Sequence, residues 1–336
     1  MKHIDTIIVG QGLAGSILAH TLLQENKTIL VLDNNPTTSS SKIATGLFNP
    51  IVFKRITPSW RADEFIPVVT SFYTKTEQIV SQKVYYPTTL LRVIASASEK
   101  IIWEKKLQSQ ELSPFLENTD IQTSSIPGIE SPYGYIKIKA GYIRVKEFLQ
   151  TTKKFLLTSN SYREEFVEYT SIKIIDDKVY YKDYIANHIV FAEGYQAIHN
   201  PFFVDLPFQL SKGQHITIEN KTLDKNYWYS IGCHVVPHTQ KDTYQVGATY
   251  SWSPLDTIPT LECTQELTKK LEQAGIHSFE IIEQEAAIRP TVKDRRPFVF
   301  LHPTMPCMAM FNGFGSKTVM LAPFFAKELL QLMYKG

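Results

Sequence analysis

The spacing of apolar and polar positions along the chain predicts its main elements. Residues 4–9 are a short, largely β-branched run of the kind that forms a strand buried on both faces of a parallel sheet. The run stops at Gly10-Gln11-Gly12-Leu13-Ala14-Gly15. Beyond it, Ala14, Ile17, Leu18, Thr21 and Leu22 recur at i, i+3, i+4, i+7 and i+8, which is one face of a helix. A second apolar run over 28–32 closes at Asp33, completing a strand, glycine turn, helix, strand and acid. Far down the chain the order repeats: 307–311 reads as a strand and 312–317 as a turn. Leu321, Phe325, Leu329, Leu332 and Met333 then mark one side of a closing helix.

The middle is mixed, with no internal repeat. Ile136, Ile138 and Ala140 alternate with Tyr135, Lys137 and Lys139, which predicts a strand over 133–142 followed by the start of a helix over 142–149. A strand-rich stretch begins at 212–216 and includes 232–237 and 244–250.

A chain of 336 residues has room for about two domains. It is 43% apolar and 20% charged, and its 15 Gly and 18 Pro are too few for a collagenous or low-complexity chain. Lys and Arg number 35 against 33 Asp and Glu, a net charge of +2 with no block of like charge. Nucleic-acid binding through bulk charge is therefore not expected, while a local basic patch stays open. Cys233, Cys263 and Cys307 are too scattered for a disulfide framework or a metal site, which points to a reducing compartment and no bound metal. Asp5 interrupts the opening apolar run, and no stretch of 18 apolar residues follows. A soluble, cytoplasmic chain without a membrane partner is the expectation.

The glycine turn carries specific chemistry. Gly10 permits the tight turn, Gly12 lets the backbone approach a pyrophosphate, and Gly15 lets helix and strand pack closely. The helix N-terminus then offers free N–H groups and a positive dipole end to the phosphates. Asp33 stands at the tip of the second strand, where a carboxylate can accept hydrogen bonds from an adenosine ribose. It disfavours a 2′-phosphate, and Asn34-Asn35 provide no arginine to pair with one, so NADP is not expected. The motif alone leaves FAD and NAD open.

The next segment distinguishes them by resemblance. Ser40-Ser41, then Ala44-Thr45-Gly46-Leu47-Phe48-Asn49-Pro50, resembles the second flavin-contacting segment of the D-amino-acid oxidase family, where small and hydroxylated residues line the pyrophosphate and isoalloxazine. Asn312-Gly313-Phe314-Gly315-Ser316-Lys317 is similar to the family's closing turn at the pyrimidine edge of the flavin, although Thr318 stands where the family usually has another glycine. Phe166-Val167 resembles the strand whose backbone meets adenine. His188-Ile189-Val190-Phe191-Ala192-Glu193-Gly194 resembles the strand that turns back toward the cofactor phosphates, with Glu193 read as a solvated residue.

The resemblance implies an α/β fold, with a Rossmann-like FAD-binding domain and a discontinuous second α+β substrate domain built on a mostly antiparallel sheet. Residues 1–75, 133–207 and 286–336 are assigned to the first, and 76–132 and 208–285 to the second. It implies noncovalent FAD, held by Gly10, Gly12, Leu13, Ala14, Gly15, Asp33, Asn34, Ser41, Ala44, Thr45, Gly46, Leu47, Val167, Ala192, Gly194, Gly313, Gly315, Ser316 and Lys317. Cys307, within a strand, is read as a buried small hydrophobe rather than a flavin-linking cysteine.

On the substrate side, the order Gly213-Gln214, the strand with His234, Gly247-Ala248-Thr249 and Arg289-Pro290 resembles the family's substrate sheet. A guanidinium presents a planar fork that grips a carboxylate through two parallel hydrogen bonds. The resemblance gives Arg289 that role and places His234 at a substrate-facing strand position. A structural ion pair for Arg289 and a satisfied strand histidine at 234 are the alternatives. Tyr227-Trp228-Tyr229 and Tyr250-Ser251-Trp252 offer aromatic walls or core. The implied activity is oxidation of the C–N bond of a small amine or amino acid, by hydride transfer to flavin N5, with no residue assigned as acid or base. The alternatives are an oxidase acting on a carboxymethylamino group of a tRNA nucleoside, a non-catalytic binding protein on a dinucleotide fold, and an NAD-linked dehydrogenase.

Overall fold

A computed structural model describes residues 1–334. The strand Lys2–Val9 lies at the centre of the first sheet, parallel to Ile29–Asp33 on one side and to Tyr184–Phe191 on the other. The order across this sheet is Phe298–Leu301, Met308–Asn312, Tyr184–Phe191, Lys2–Val9, Ile29–Asp33 and Tyr162–Glu164, with the hairpin Ile172–Ile175 and Lys178–Tyr181 attached to Tyr184–Phe191. Ile7, Ile8, Val31, Leu32, Val190 and Phe191 are fully buried, as expected of parallel strands covered on both faces.

The helices are α1 (Leu13–Gln24), α2 (Ala62–Val80), α3 (Ala97–Gln108), α4 (Val145–Thr158), α5 (Leu261–Gln273) and α6 (Thr318–Tyr334). One face of the first sheet packs on α1, α2, α4 and α6 through Ile8, Ile17, Leu18, Phe65, Phe148 and Phe325. Pro323 lies inside α6 and has no N–H to give the carbonyl of Val319 four residues back. The buried Tyr73 hydroxyl of α2 donates to that carbonyl at 3.3 Å, so α6 continues through the proline. Within the described residues no helix is long and apolar enough to cross a membrane.

The second sheet runs in the order Glu280–Arg289, Ser211–Glu219, Thr243–Gly247, His234–Pro237, Tyr227–Ser230, Tyr85–Val93, Tyr135–Ile143 and Leu47–Phe48. Neighbours are antiparallel except Tyr227–Ser230 with Tyr85–Val93, which are parallel. Its outer face buries Leu91, Val235 and Val246 against Leu267 and Leu271 of α5. Its inner face is apolar at one end, where Leu90, Ile138, Trp228 and Val236 cluster with Trp103 of α3, and polar where it carries His215, His234 and Arg92.

Two long strands depart from the sequence expectation, and the short Leu47–Phe48, also expected with the cofactor half, follows the first of them into the second sheet. Tyr135–Ile143, expected with the cofactor half, pairs along its whole length with Tyr85–Val93 in the second sheet. Glu280–Arg289 runs through the expected boundary at 286 as one continuous strand beside Ser211–Glu219. Alternation along a strand identifies its faces but not its neighbours, which is why the sequence pattern could not place either one.

Candidate active site

The site is built where the ends of the first sheet's strands meet the inner face of the second. The strand Lys2–Val9 ends at Gly10, with φ at +101°, and a Cβ there would sit 2.6 Å from the Ala192 carbonyl oxygen. A Cβ on Gly15 would lie 1.8 Å from the Gly10 carbonyl oxygen, so α1 is seated directly on the turn that precedes it. α1 starts without a side-chain N-cap of its own and without an acid in its first turn. Ser41 reaches it from the following loop, its Oγ accepting from the Leu13 N–H at 3.0 Å. The result is a helix N-terminus whose donors face outward with a hydroxyl beside them, a donor set suited to phosphate.

Asp33 accepts from the backbone N–H groups of Gln11 and Asn35, both at 2.8 Å, which locks the tip of its strand to the glycine turn. Val167 is buried with Val9 and Leu32 next to that tip. The Ala192 N–H donates to Val9, and the Asn312 side-chain amide donates to the Gly194 carbonyl at 2.9 Å. The turns at Gly10, Gly194 and Gly313 are thereby joined. Asn34 is exposed on the loop beyond Asp33.

A cavity of about 810 Å³ opens beside these turns, within the range of small-molecule sites. Leu13, Ser41, Ala44, Thr45, Gly46 and Leu47 line it on the opening side, and Gly315, Ser316 and Lys317 on the closing side. Both turns thus share one crevice. Gly10, Gly12, Ala14, Gly15, Asp33, Val167, Ala192, Gly194 and Gly313 are not part of that lining. α6 starts at Thr318, and its first residues Thr318, Val319 and Met320 face the cavity. Lys317 Nζ donates to Ser59 Oγ at 3.1 Å; burial, then the nearby Arg295 and Arg296, lower its pKa.

Arg289 and His234 line the same cavity from the second sheet. The Arg289 guanidinium lies flat on Gly213, where a Cβ would come within 1.8 Å of Nη2. The Tyr250 ring covers its other face, with its centroid 4.3 Å from Cζ. Nη1 donates to the Thr249 carbonyl at 3.2 Å. Arg289 is 8% exposed, and among the described residues no carboxylate pairs with it, so the ion-pair alternative fails. Burial lowers its pKa, opposed by Tyr250.

Registers across the second sheet place Arg92, Ser230, His234, Gly247, His215 and Glu285 in one row, one per strand. The first five line the cavity. The His215 ring lies over Gly247, whose Cβ would come within 2.1 Å of it. Burial, then Arg289 and His234, push the His215 pKa down to about 3; burial, then Arg92, push His234 down to about 4. His234 Nε2 is buried with no hydrogen-bond partner among the described residues.

The role of His215 escaped the sequence reading, and Gly213 and Tyr250, read there only as part of the substrate sheet and as an aromatic wall or core, become the two sides of the Arg289 seat only when the strands lie side by side. Glu193 requires correction. Rather than being solvated, it is largely buried and accepts from the Tyr169 hydroxyl at 2.6 Å and the Asn200 amide at 2.9 Å, and burial raises its pKa.

Residues 5–332 match the family model described as FAD-dependent oxidoreductase, DAO. The chain belongs to this family. It is similar in structure to iminodiacetate oxidase from Chelativorans sp. BNC1, with a TM-score of 0.77, 16% identity and 97% and 94% of the two chains covered. Glycine oxidase from Geobacillus kaustophilus superposes with a TM-score of 0.77 at 14% identity, covering 100% of this chain and 95% of that one. For L-α-glycerophosphate oxidase from Mycoplasma pneumoniae with FAD bound, the values are 0.71, 16%, 99% and 95%. At such identities these likenesses speak for the fold.

Membership makes the chain an FAD-dependent oxidoreductase and sets aside the NAD-linked and non-catalytic alternatives. The residues present fit FAD. The Gly10–Gly15 seat, the N-terminus of α1 with Ser41 and the carboxylate at Asp33 supply the donors and acceptor that a dinucleotide requires, and the shared cavity adjoins them.

Proposed function

We propose that this oxidoreductase oxidises the C–N bond of a small amine or amino acid. The observation that carries the reading is Arg289, a buried guanidinium without a carboxylate partner among the described residues, facing the cavity that the two turns share. Removing such a charge from water is costly unless an anion meets it, and a substrate carboxylate fits its planar fork. FAD, when bound noncovalently, supplies the hydride acceptor, its N5, for the hydrogen leaving the substrate α-carbon.

The chain's own residues do the rest. Arg289, held between Gly213 and Tyr250, fixes the carboxylate and with it the direction of the α-carbon. His215 is uncharged at neutral pH, so it can accept a hydrogen bond from the amine without placing positive charge beside it. The N-terminus of α6 borders the cavity, and its dipole favours negative charge there. No proton-transfer residue is required. Cys307 is buried in the apolar cluster with Met308 and Met310, which supports noncovalent binding.

The test is spectroscopic. The purified protein is expected to be yellow and to bleach anaerobically with glycine, sarcosine, proline or a D-amino acid. A colourless preparation that takes up no FAD, or a flavin that no small amine or amino acid reduces, overturns the reading. An Arg289→Ala variant that reduces its flavin as fast as the parent at low substrate removes the carboxylate anchor.

A second reading is oxidation of a carboxymethylamino group on a tRNA nucleoside. It is favoured by exposed Lys293, Arg295 and Arg296, the last two close enough to Lys317 at the cavity to lower its pKa. Salt-dependent retention of tRNA would support it, and its absence at low salt would dismiss it.

A further inference from the structure

Beyond Gly247 the inner face of the second sheet continues through His234 and Ser230 to Arg92, and the cavity follows it. The charge of the lining is lopsided: Lys54, Arg92, Lys270, Arg289 and Lys317 face the cavity against Glu266. Arg92 is tied to Glu99 at 2.7 Å and Lys270 to Glu266 at 2.5 Å. Lys317 belongs to the closing turn. Arg289 and the exposed Lys54 are left without a carboxylate partner among the described residues.

These two mark different ends of the space. Arg289 lies over Gly213, on the strand that carries His215. Lys54 follows Phe53, whose ring is 6.3 Å from that of His234 and 5.3 Å from the Arg92 guanidinium carbon. His234 stands two strands from His215, about 10 Å at the usual strand spacing. At the Arg92 end the groups offered are the partnerless His234 Nε2, the Ser230 hydroxyl and the Arg92 guanidinium, whose Nη1 otherwise donates to the Ser230 carbonyl at 3.3 Å. Beside a guanidinium and an ammonium, a basic substituent would be repelled, and an apolar one would leave these polar atoms unmet.

We propose that Arg92, Ser230, His234 and Lys54 form a second subsite, for an acidic group, so that the preferred substrate is an amino or imino acid carrying two acidic groups. This rests on the amine reading above. One carboxylate meets Arg289. The other, on a short side chain or N-substituent, reaches the His234 end, where the imidazole, hydroxyl and guanidinium donate to it and Lys54 adds attraction at the mouth.

The test compares the holoenzyme's flavin reduction by glycine and sarcosine with that by iminodiacetate and both enantiomers of aspartate and glutamate. In parallel, acetate and succinate are titrated as non-oxidisable probes against the flavin absorbance. At least one diacid is expected to exceed the monoacids tenfold in kcat/KM, and succinate to bind at least tenfold tighter than acetate. Lys54→Glu and His234→Leu should each lower the diacid-to-monoacid ratio fivefold or more; Lys54 is exposed, so its variant tests the idea even if the other misfolds. Equal constants for both classes in the parent, or ratios unchanged in the folded variants, overturn the second subsite while leaving the amine reading intact where monoacids bleach the flavin. If neither class bleaches it, the amine reading itself falls and takes the subsite with it.

Discussion

The seat of Arg289 allows a sharp test with one added methyl group. In Gly213→Ala the new Cβ would lie 1.8 Å from Nη2, 2.0 Å from Cζ and 2.4 Å from Nη1 of Arg289. Non-bonded carbon contacts settle near 3.5 Å, so the guanidinium must retreat by roughly 1.5 Å. Its 3.2 Å bond to the Thr249 carbonyl does not survive such a shift, and its stacking on Tyr250 is disturbed. A hydrogen bond from a charged group contributes about 1.5–3 kcal/mol and a cation–π contact about 0.5–2 kcal/mol. Losing the first and part of the second takes about 2–4 kcal/mol from the carboxylate-bound state, a drop of roughly 30- to 1000-fold in affinity. The assay is kcat/KM for an amino acid, with acetate binding followed by flavin absorbance. Alanine suits a strand, so the melting temperature serves as the control for folding. Constants within threefold of the parent, in a variant that melts normally, would show that the position of Arg289 does not matter to the site.

Two further outcomes follow from buried polar groups. Burial holds His20 at a pKa of about 4, with only Nε2 engaged, by Thr152 at 2.9 Å. Because the unfolded chain binds that proton more readily, stability is full above the unfolded value of about 6.5 and falls as pH drops toward 4, by about 2 kcal/mol at pH 5 for this residue. His188, His215 and His234, also lowered, act in the same direction. Urea midpoints at pH 8 and pH 5 check this, and equal midpoints contradict it. Glu193→Ala removes the acceptor used by Tyr169 and Asn200 beside the Gly10 turn, and FAD affinity should fall by about 1–3 kcal/mol, read from the fluorescence of flavin released on dilution. Unchanged retention would mean that the turn holds its shape without that carboxylate.

The cofactor half was legible because its signals are local. Period, glycine spacing and a terminal acid lie within 33 residues, and the start of α6 near Thr318 follows from the turn before it. The substrate half was legible only in fragments. Which sheet Tyr135–Ile143 joins depends on a partner some fifty residues earlier, and the lack of a carboxylate for Arg289 depends on where every acid of the chain ends up. Glu193, between an apolar strand and a glycine, looks like any strand-end acid until Tyr169 and Asn200 close over it. His215 gains its place from Gly247, three strand segments later in the sequence but adjacent in the sheet.

The insertion of Met308–Asn312 beside Tyr184–Phe191, with α6 packed on α1, has a bearing on how the protein comes into being. As synthesis proceeds, the Ile189–Phe191 end of the latter strand remains an open template, and α1, covered in part by α4, lacks α6 until more than three hundred residues have emerged. Such late, long-range closure makes for slow folding and leaves sticky nascent intermediates. Chains interrupted before residue 308 should therefore precipitate or require chaperones rather than persist as a small, independent nucleotide-binding module.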